Sequence, residues 1–359
     1  MYAGIFNTYD KFLLPSITPV LLNVSLIGAA LYSSGLSYMP IIALAYGVLI
    51  AGIIQYSVQL PFLYKMNLLV TPKINFEFSG VNKILKLMLP AILGTAVVQI
   101  NLVVDSIVAS MLAPGSISWL YYSDRLVEFP LGIFGIAIAT VILPVLSAKY
   151  SSKEITSFKE TISNSLKIVL IYSLPATFGL ILLSDHIIVS LFQYGNFDAD
   201  DTSMSALSLI AYSLGLPAFI MMKVLLTGFF SRQDTKTPVK YGLIAVIFNI
   251  LMNTIVVFYY LSNPFTGAHA MLALATSISA WIQVILLYMH LNKENFVYSS
   301  NIFNKEALIS TISCIIMFLV LGSIFSEPSV LDILSNCIPP TFISGIKVIA
   351  ITIIPIPPN

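Results

Sequence analysis

Long apolar stretches separated by short polar segments recur along the whole chain. A membrane-spanning helix needs about 20 mostly apolar residues, whereas barrel strands would show about ten residues of strict alternation. Only the first pattern occurs in this sequence. It predicts an all-α polytopic membrane protein with ten spanning helices, preceded by residues 1–8 as the end of another. The ten spans lie near 13–34, 40–63, 84–112, 117–147, 160–184, 203–230, 238–261, 267–291, 306–325 and 340–356.

The composition supports lipid as the solvent of this chain. Of the 359 residues, 58% are hydrophobic and 9% are charged, whereas a soluble domain has about 25% charged residues. The sequence contains no metalloprotease, hydrolase or nucleotide-binding motif. The acids Asp198, Asp200 and Asp201 lie in a predicted outer loop without neighbouring histidines or basic residues. We therefore predict no enzyme activity and no catalytic residues.

Positive charges mark every second connection between the predicted spans. The five intervening connections hold no Lys or Arg, and two of them, 185–202 and 326–339, hold acidic residues instead. Because basic connections stay in the cytoplasm, this alternation predicts the orientation of the chain and supports the number of spans. The basic residues of these connections, in chain order, are Lys11; Lys65, Lys73, Lys83 and Lys86; Lys149, Lys153 and Lys159; Arg232, Lys236 and Lys240; and Lys293 and Lys305.

The densest polar cluster within a predicted span lies in residues 116–130. Tyr121, Asp124, Arg125 and Glu128 recur at helical spacing and share one face. Ionisable residues at membrane depth usually face a cavity or a partner. The stripe thus indicates a water-filled cavity in which the guanidinium binds a phosphate or carboxylate, with the two acids holding it when the cavity is empty. The alternative is a structural ion pair near the outer interface.

Asp105 is a second polar position deep within a predicted span. No basic residue lies three or four positions away, so its partner is an ion or comes from another helix. Later spans offer Asn249, Asn253 and Thr276. Carboxylate, amide and hydroxyl oxygens from three helices suit a hard cation such as Na⁺. The alternative is hydrogen bonding between helices, with a protonated Asp105.

Four parts of the chain resemble a known family. They are SWLYYSDRLVEFPLGIFGIAIATVILP at 118–144, FQYGNF at 192–197, FSRQDTKTPVK at 230–240, and FNTYDKF at 6–12 with PVLLN at 19–23. They occur in the family's order and cover nearly the whole chain. On these residues the chain resembles MurJ/MviN, the bacterial lipid II flippases of the multidrug/oligosaccharidyl-lipid/polysaccharide (MOP) exporter superfamily.

The resemblance implies a fold of fourteen helices. Two six-helix lobes enclose a central cavity, and two further helices form a lipid-binding groove. The ten spans of this chain would be helices five to fourteen. The implied domains are 1–65 as the remainder of the N-terminal lobe, 66–82 as a cytoplasmic amphipathic connector, 83–292 as the C-terminal lobe and 305–357 as the groove helices.

The resemblance also implies roles for individual residues. Arg125 would contact the substrate, and the residues lining the same cavity would be Asp124, Glu128 and Ser118. Some family members have an Na⁺ site, and its carboxylate, amide and hydroxyl positions are matched here by Asp105, Asn249, Asn253 and Thr276.

The function that the resemblance implies is transport for cell-wall synthesis. Lipid II, the undecaprenyl-pyrophosphate-linked peptidoglycan precursor, would be flipped from the inner to the outer leaflet of the bacterial inner membrane by alternating access. We expect a monomer that contacts lipid II and membrane lipids. We expect no nucleic-acid partner, no cofactor except Na⁺ as a coupling ion, and no other metal.

The chain departs from the family at its beginning. The family's first helices carry arginines central to pyrophosphate binding, and they have no counterpart in this sequence. We expect an N-terminal truncation, or a decayed or misread frame that yields a non-functional remnant. Another alternative is a different MOP-type exporter, for polysaccharide-lipids or drugs.

Overall fold

The structure is a computed structural model that describes residues 13–33, 40–68 and 101–298, with single residues 6, 9, 99, 312, 313, 316 and 317. Within these residues every regular element is a helix and none is a strand. The prediction of an all-α fold is confirmed. The connector predicted at 66–82 and the groove helices predicted at 305–357 lie almost entirely outside the described residues.

The chain divides into two units, residues 1–85 and 86–359. The first contains α1 (Leu13–Ser33) and α2 (Pro40–Lys65). The assignment of these units to the lobes of a fourteen-helix fold stays a prediction. The second unit contains α3 (Asn101–Ser110), α4 (Ser116–Pro130), a π-helical turn (Leu131–Ile136), α5 (Ala137–Ser151), α6 (Ile155–Leu182), α7 (Ser184–Phe192), α8 (Ala199–Ser213), α9 (Leu216–Phe230), α10 (Lys236–Ser262) and α11 (Ala268–Lys293).

The two helices of the first unit pack closely because small residues face each other. A Cβ atom on Gly47 would lie 2.7 Å from the Cβ of Ala29, so the contact requires glycine. The Ser25 hydroxyl donates to the Gly47 carbonyl at 2.8 Å, and the Gln55 amide donates to the Thr18 carbonyl at 3.0 Å. Such close approach and interhelical hydrogen bonds hold helices together in lipid, where apolar burial gives no driving force.

The second unit is built around α9. Leu216, Ile220 and Leu225 of this helix are fully buried, in a cluster that reaches α6 and α11. A second apolar cluster joins α3, α4, α8, α10 and α11. These two clusters fix the helices that carry the polar residues singled out in the sequence.

The lengths of the helices agree with a membrane protein. Among the described residues five helices are long and apolar enough to span a membrane, and α8 with α9 makes a sixth if counted as one bent span. The spans expected at 306–325 and 340–356 lie outside the described residues, so the total of ten stays a prediction. The span expected at 203–230 is two helices, because α8 and α9 meet at a bend of 41°.

The longest span is formed by α4, the π-helical turn and α5. It runs from Ser116 to Ser151, 36 residues, or about 54 Å at 1.5 Å per residue, and so exceeds the roughly 30 Å hydrocarbon core. The π-helical turn directly follows Pro130. Proline removes one backbone donor, and the wider turn lets the helix continue past it.

We expect Gly115→Ala to destabilise the protein, because α4 begins at a glycine in the left-handed region. The φ angle of Gly115 is 99°, and a Cβ atom there would lie 2.6 Å from the Trp119 ring. Left-handed backbone costs an L-residue about 1–2 kcal/mol, so the thermal unfolding midpoint in detergent should fall by a few degrees. Gly132→Ala is the control, since nothing lies within 4 Å of its Cβ position. Equal midpoints for the two variants would contradict this account.

Candidate functional site

One side of α4 is fixed against α8. The Ser123 hydroxyl, which is fully buried, donates to the Ser205 carbonyl at 2.7 Å. One turn earlier, the Trp119 indole N–H donates to Asp201 Oδ1 at 2.6 Å. Val127, one turn later, is also buried. Because these residues share one side of the helix, the opposite side is turned away from α8.

The opposite side of α4 carries an exposed ion pair. Arg125 Nη1 lies 2.6 Å from Glu128 Oε2, and the two side chains are 52% and 49% exposed. The guanidinium carbon lies 4.9 Å from the centre of the Tyr121 ring, a cation–π contact. Arg125 is about 14 Å along the helix from its start. Charges are costly to place in lipid at such depth, so we expect this face to border water.

The other two predicted substrate residues differ in their placement. Ser118 is exposed on the same face as Arg125. Asp124 is half-buried at the edge of that face, and of the two acids Glu128 alone pairs with the guanidinium. The expectation that both acids hold Arg125 is therefore wrong for Asp124. Asp124 lies beside the ion pair, at the edge of its face, without joining it.

The four residues predicted to bind a cation meet in one cluster of α3, α10 and α11. The Asn253 amide donates to Asp105 Oδ1 at 2.6 Å and to Asn249 Oδ1 at 2.8 Å. The Asn249 amide lies 3.1 Å from the Thr276 hydroxyl. Both asparagines are fully buried, so their polar groups depend on this cluster for partners.

A fifth polar side chain completes the cluster and was missed in the sequence. The Asn101 amide donates to Asp105 Oδ2 at 3.0 Å. It precedes Asp105 by four residues, and this spacing on a helix is the signal that identifies it. Asp105 therefore accepts from two amides. Asn253 Oδ1, by contrast, is buried with no hydrogen-bond donor among the described residues.

The Asn249 amide can satisfy its neighbours in a second orientation. Turned by 180°, its nitrogen donates to Asp105 Oδ1 at 3.0 Å and to Asn101 Oδ1 at 3.2 Å. Its contact with the Thr276 hydroxyl is 3.1 Å in either orientation. In this orientation the Asn249 nitrogen is a further amide donor to the Asp105 carboxylate.

The family model described as lipid II flippase MurJ matches residues 1–334 of this chain. The chain belongs to the MurJ family. This finding confirms the resemblance seen in the sequence motifs. The MurJ family consists of multi-pass inner-membrane transporters and not of enzymes, in agreement with the predicted location and class.

Individual MurJ proteins match over most of this chain. A probable lipid II flippase MurJ of Vibrio cholerae is 48% identical over 290 residues, which are 81% of this chain and 54% of that protein. The lipid II flippase MurJ of Burkholderia cenocepacia is 34% identical over 302 residues, 83% of this chain and 57% of that protein. This chain thus spans about half the length of the curated relatives it matches.

A solved MurJ structure has the same fold. It is a lipid II flippase MurJ in an inward closed conformation, and it superposes with a TM-score of 0.70 at 28% identity. The match covers 90% of this chain and 70% of that one. The helical architecture described above is therefore that of the MurJ family.

Two of the acids in the segment 198–201 cap a helix. Asp198 Oδ1 accepts from the Asp201 backbone N–H at 2.9 Å, and Asp201 Oδ2 accepts from the Asp198 N–H at 3.3 Å. This reciprocal pair is a capping box at the start of α8. Asp201 also accepts from Trp119, so these carboxylates position helices.

We expect Asp198→Ala to lower the stability of the protein by about 1 kcal/mol, the usual effect of removing an N-cap side chain. Asp200→Ala is the matched control, because Asp200 lies one residue from Asp201 but outside the capping box. Thermal unfolding in detergent measures both. A larger loss in Asp200→Ala than in Asp198→Ala would contradict the assignment of the cap.

Proposed function

We propose that the protein flips lipid II from the inner to the outer leaflet of the cytoplasmic membrane by alternating access, supplying peptidoglycan synthesis. The observation that carries the proposal is the half-exposed Arg125 on the side of α4 that faces away from α8. The MurJ relatives named as lipid II flippases support this substrate. Lipid II joins its sugars to its undecaprenyl tail through a pyrophosphate, which is the chemical group that a guanidinium recognises.

Arg125 suits the pyrophosphate for a geometric reason. Its planar fork of N–H donors binds two phosphate oxygens at once, which a lysine ammonium cannot do. In the free protein Glu128 neutralises this cation. An arriving pyrophosphate displaces Glu128, so the guanidinium is never left unpaired at membrane depth. Ser118, on the same exposed face, adds a hydroxyl donor for the headgroup while the tail stays in the bilayer.

We also propose Na⁺ as the coupling ion, bound by Asp105, Asn249, Asn253 and Thr276. The buried Asn253 oxygen without a donor fits an oxygen ligand that awaits a cation. The set offers one carboxylate and several neutral oxygens, the ligand types that hard cations take. Amide nitrogens hold the carboxylate in the hydrogen-bonded arrangement. Cation binding therefore requires at least one amide to turn its oxygen inward.

Coupling follows from the charges of the two sites. Asp105 and Asp124 repel one another, and Asp124 borders the face that carries Arg125. When bound, Na⁺ would neutralise Asp105 and so change the field at the substrate face. A ligand shifts a conformational equilibrium only through its different affinities for the two states, and Na⁺ or the membrane potential can supply this difference.

A flipping assay in liposomes tests the proposed substrate. The protein is reconstituted with lipid II in one leaflet, and appearance of lipid II in the other is followed with an impermeant quencher of a headgroup label. We expect transport of lipid II and none of a polyprenyl lipid that carries the same sugars without pyrophosphate. Equal rates for the two lipids would contradict the role of Arg125. Transport of neither would favour the non-functional remnant.

A further inference from the structure

The backbone at the bend between α8 and α9 needs hydrogen-bond donors from elsewhere. The two helices are separated by Leu214 and Gly215 and meet at 41°. Pro217 has no N–H, so the regular bond to the Ser213 carbonyl cannot form. The carbonyls at a helix end also lack partners within their helix. Inside a membrane-spanning segment each unsatisfied backbone group is costly.

Two side chains of α11 supply donors at this bend. The Ser277 hydroxyl donates to the Ala211 carbonyl at 2.7 Å and lies 3.4 Å from the Tyr212 carbonyl. One turn later, the Trp281 indole N–H donates to the Leu214 carbonyl at 3.0 Å. Ser277 is buried, so bulk water does not take its place as the donor in this arrangement. The conformation of the bend is therefore held by α11.

The contact between α11 and the bend is tight. A Cβ atom on Gly215 would lie 2.6 Å from Ser277 Oγ and 2.8 Å from Ser277 Cβ. Glycine is required here because any side chain would push the two helices apart. With no free space between them, a shift of Ser277 must be accompanied by a shift of the bend.

The same turn of α11 belongs to the candidate cation cluster. Thr276 directly precedes Ser277, and its hydroxyl contacts Asn249 at 3.1 Å. Consecutive residues of a helix move together, since the backbone hydrogen bonds of that turn connect them. A cation that draws in the Thr276 hydroxyl therefore also displaces Ser277, which lies about 100° further around α11 and holds the bend.

We infer that Ser277 and Trp281 are positioning residues that transmit the occupancy of the cation cluster to the bend between α8 and α9. The inference rests on the Na⁺ site of the proposed function. In this inference the bend is the element that adopts two conformations, one with the cation cluster empty and one with it occupied. Because α9 is the buried centre of the second unit, a change of the bend moves the helices packed around it.

The chain contains its own reporter for this inference. It has two tryptophans, Trp119 and Trp281, and Trp281 donates to the bend itself. In a Trp119→Phe background, fluorescence emission therefore reports on Trp281 alone. The purified protein in detergent is titrated with NaCl against choline chloride at constant ionic strength. Isothermal titration calorimetry measures Na⁺ binding in the same buffer.

We expect saturable Na⁺ binding accompanied by a change in Trp281 emission. In Ser277→Ala most of that change should be lost, because the contact that links α11 to the bend is gone, while Na⁺ still binds. Ser279→Ala is the matched control, because its hydroxyl bonds within α11 to the Thr276 carbonyl and does not touch the bend. It should keep the full change.

The results of this experiment distinguish failure of the Ser277 role from failure of the Na⁺ site. Na⁺ binding with an unchanged Trp281 emission, or a full emission change in Ser277→Ala, would overturn the inference and leave the cation site standing. Absence of Na⁺ binding in the calorimeter would overturn the cation site and the inference with it. Far-UV circular dichroism of each variant verifies that the helices are retained.

Discussion

Arg125→Ala should slow the flipping of lipid II by roughly 10- to 100-fold while leaving the protein folded. Removing the guanidinium removes charge-assisted hydrogen bonds to the pyrophosphate, each worth about 1.5–3 kcal/mol, or roughly a 10- to 100-fold loss at 1.4 kcal/mol per tenfold. Stability should hardly change, because Arg125 is half exposed and such ion pairs contribute less than about 1 kcal/mol. The measurement is the initial flipping rate in liposomes, with thermal unfolding in parallel.

Two further variants sharpen this prediction. Arg125→Lys keeps the charge but loses the planar fork, so we expect a rate between those of the native protein and Arg125→Ala. Thr140→Val changes an exposed residue farther along the same span and should transport normally. An Arg125→Ala protein that flips lipid II at the native rate would rule out the pyrophosphate contact.

Asp105→Asn should remove Na⁺ binding. The substitution keeps the size and an oxygen acceptor for the Asn253 amide, so the hydrogen bond of 2.6 Å has a replacement and the fold should persist. It removes the carboxylate charge, whose attraction for a cation nearby is about 4 kcal/mol at an effective dielectric constant near 20. We expect at least about tenfold weaker binding by calorimetry, and loss of the Na⁺ dependence of flipping.

The control for Asp105→Asn is a second carboxylate of the same unit. Asp124 interacts with Asp105 through its charge but makes no contact with the cluster amides among the hydrogen bonds of the described residues. Asp124→Asn should therefore still bind Na⁺. If Asp124→Asn lost binding and Asp105→Asn retained it, the cation site would have to be moved to α4.

Most members of the polar cluster could be predicted from the sequence alone. Asp105, Asn249 and Asn253 lie deep in apolar spans, and a polar group in lipid needs a partner. Since few such residues exist in the chain, we expect them to be each other's partners, and the structure places them in contact. Scarcity of polar residues makes pairing predictable in a membrane protein.

Rotation of a helix against its neighbours is harder to predict. The spacing of residues in α4 places Asp124 with Arg125 and Glu128 on one face, but it cannot say where that face ends. The boundary is set by contacts of Trp119 and Ser123 with α8, whose partners are 82 residues away in the chain. Such long-range packing has no local signal, so the half-buried position of Asp124 emerges only from the structure.

The sequence does not predict the bend between α8 and α9, for a different reason. Apolar residues continue on both sides of Gly215, so hydropathy reads 203–230 as one span. Gly215 and Pro217 are compatible with a break in this helix, yet unbroken transmembrane helices also contain glycine and proline. The donors that stabilise the bend, Ser277 and Trp281, come from another helix. Only the packed fold brings them to it.

We infer that the Arg125 face of α4 borders water and is covered by the substrate. Ser118→Cys and Ser123→Cys, made in a protein whose Cys314 and Cys337 are replaced by alanine, test it with a polar thiol reagent. Ser118 is exposed on that face and Ser123 is buried against α8. Cys at 118 should react with the reagent and be protected by lipid II, whereas Cys at 123 should not react. An unreactive Cys at 118, whichever side the reagent is added from, would contradict it.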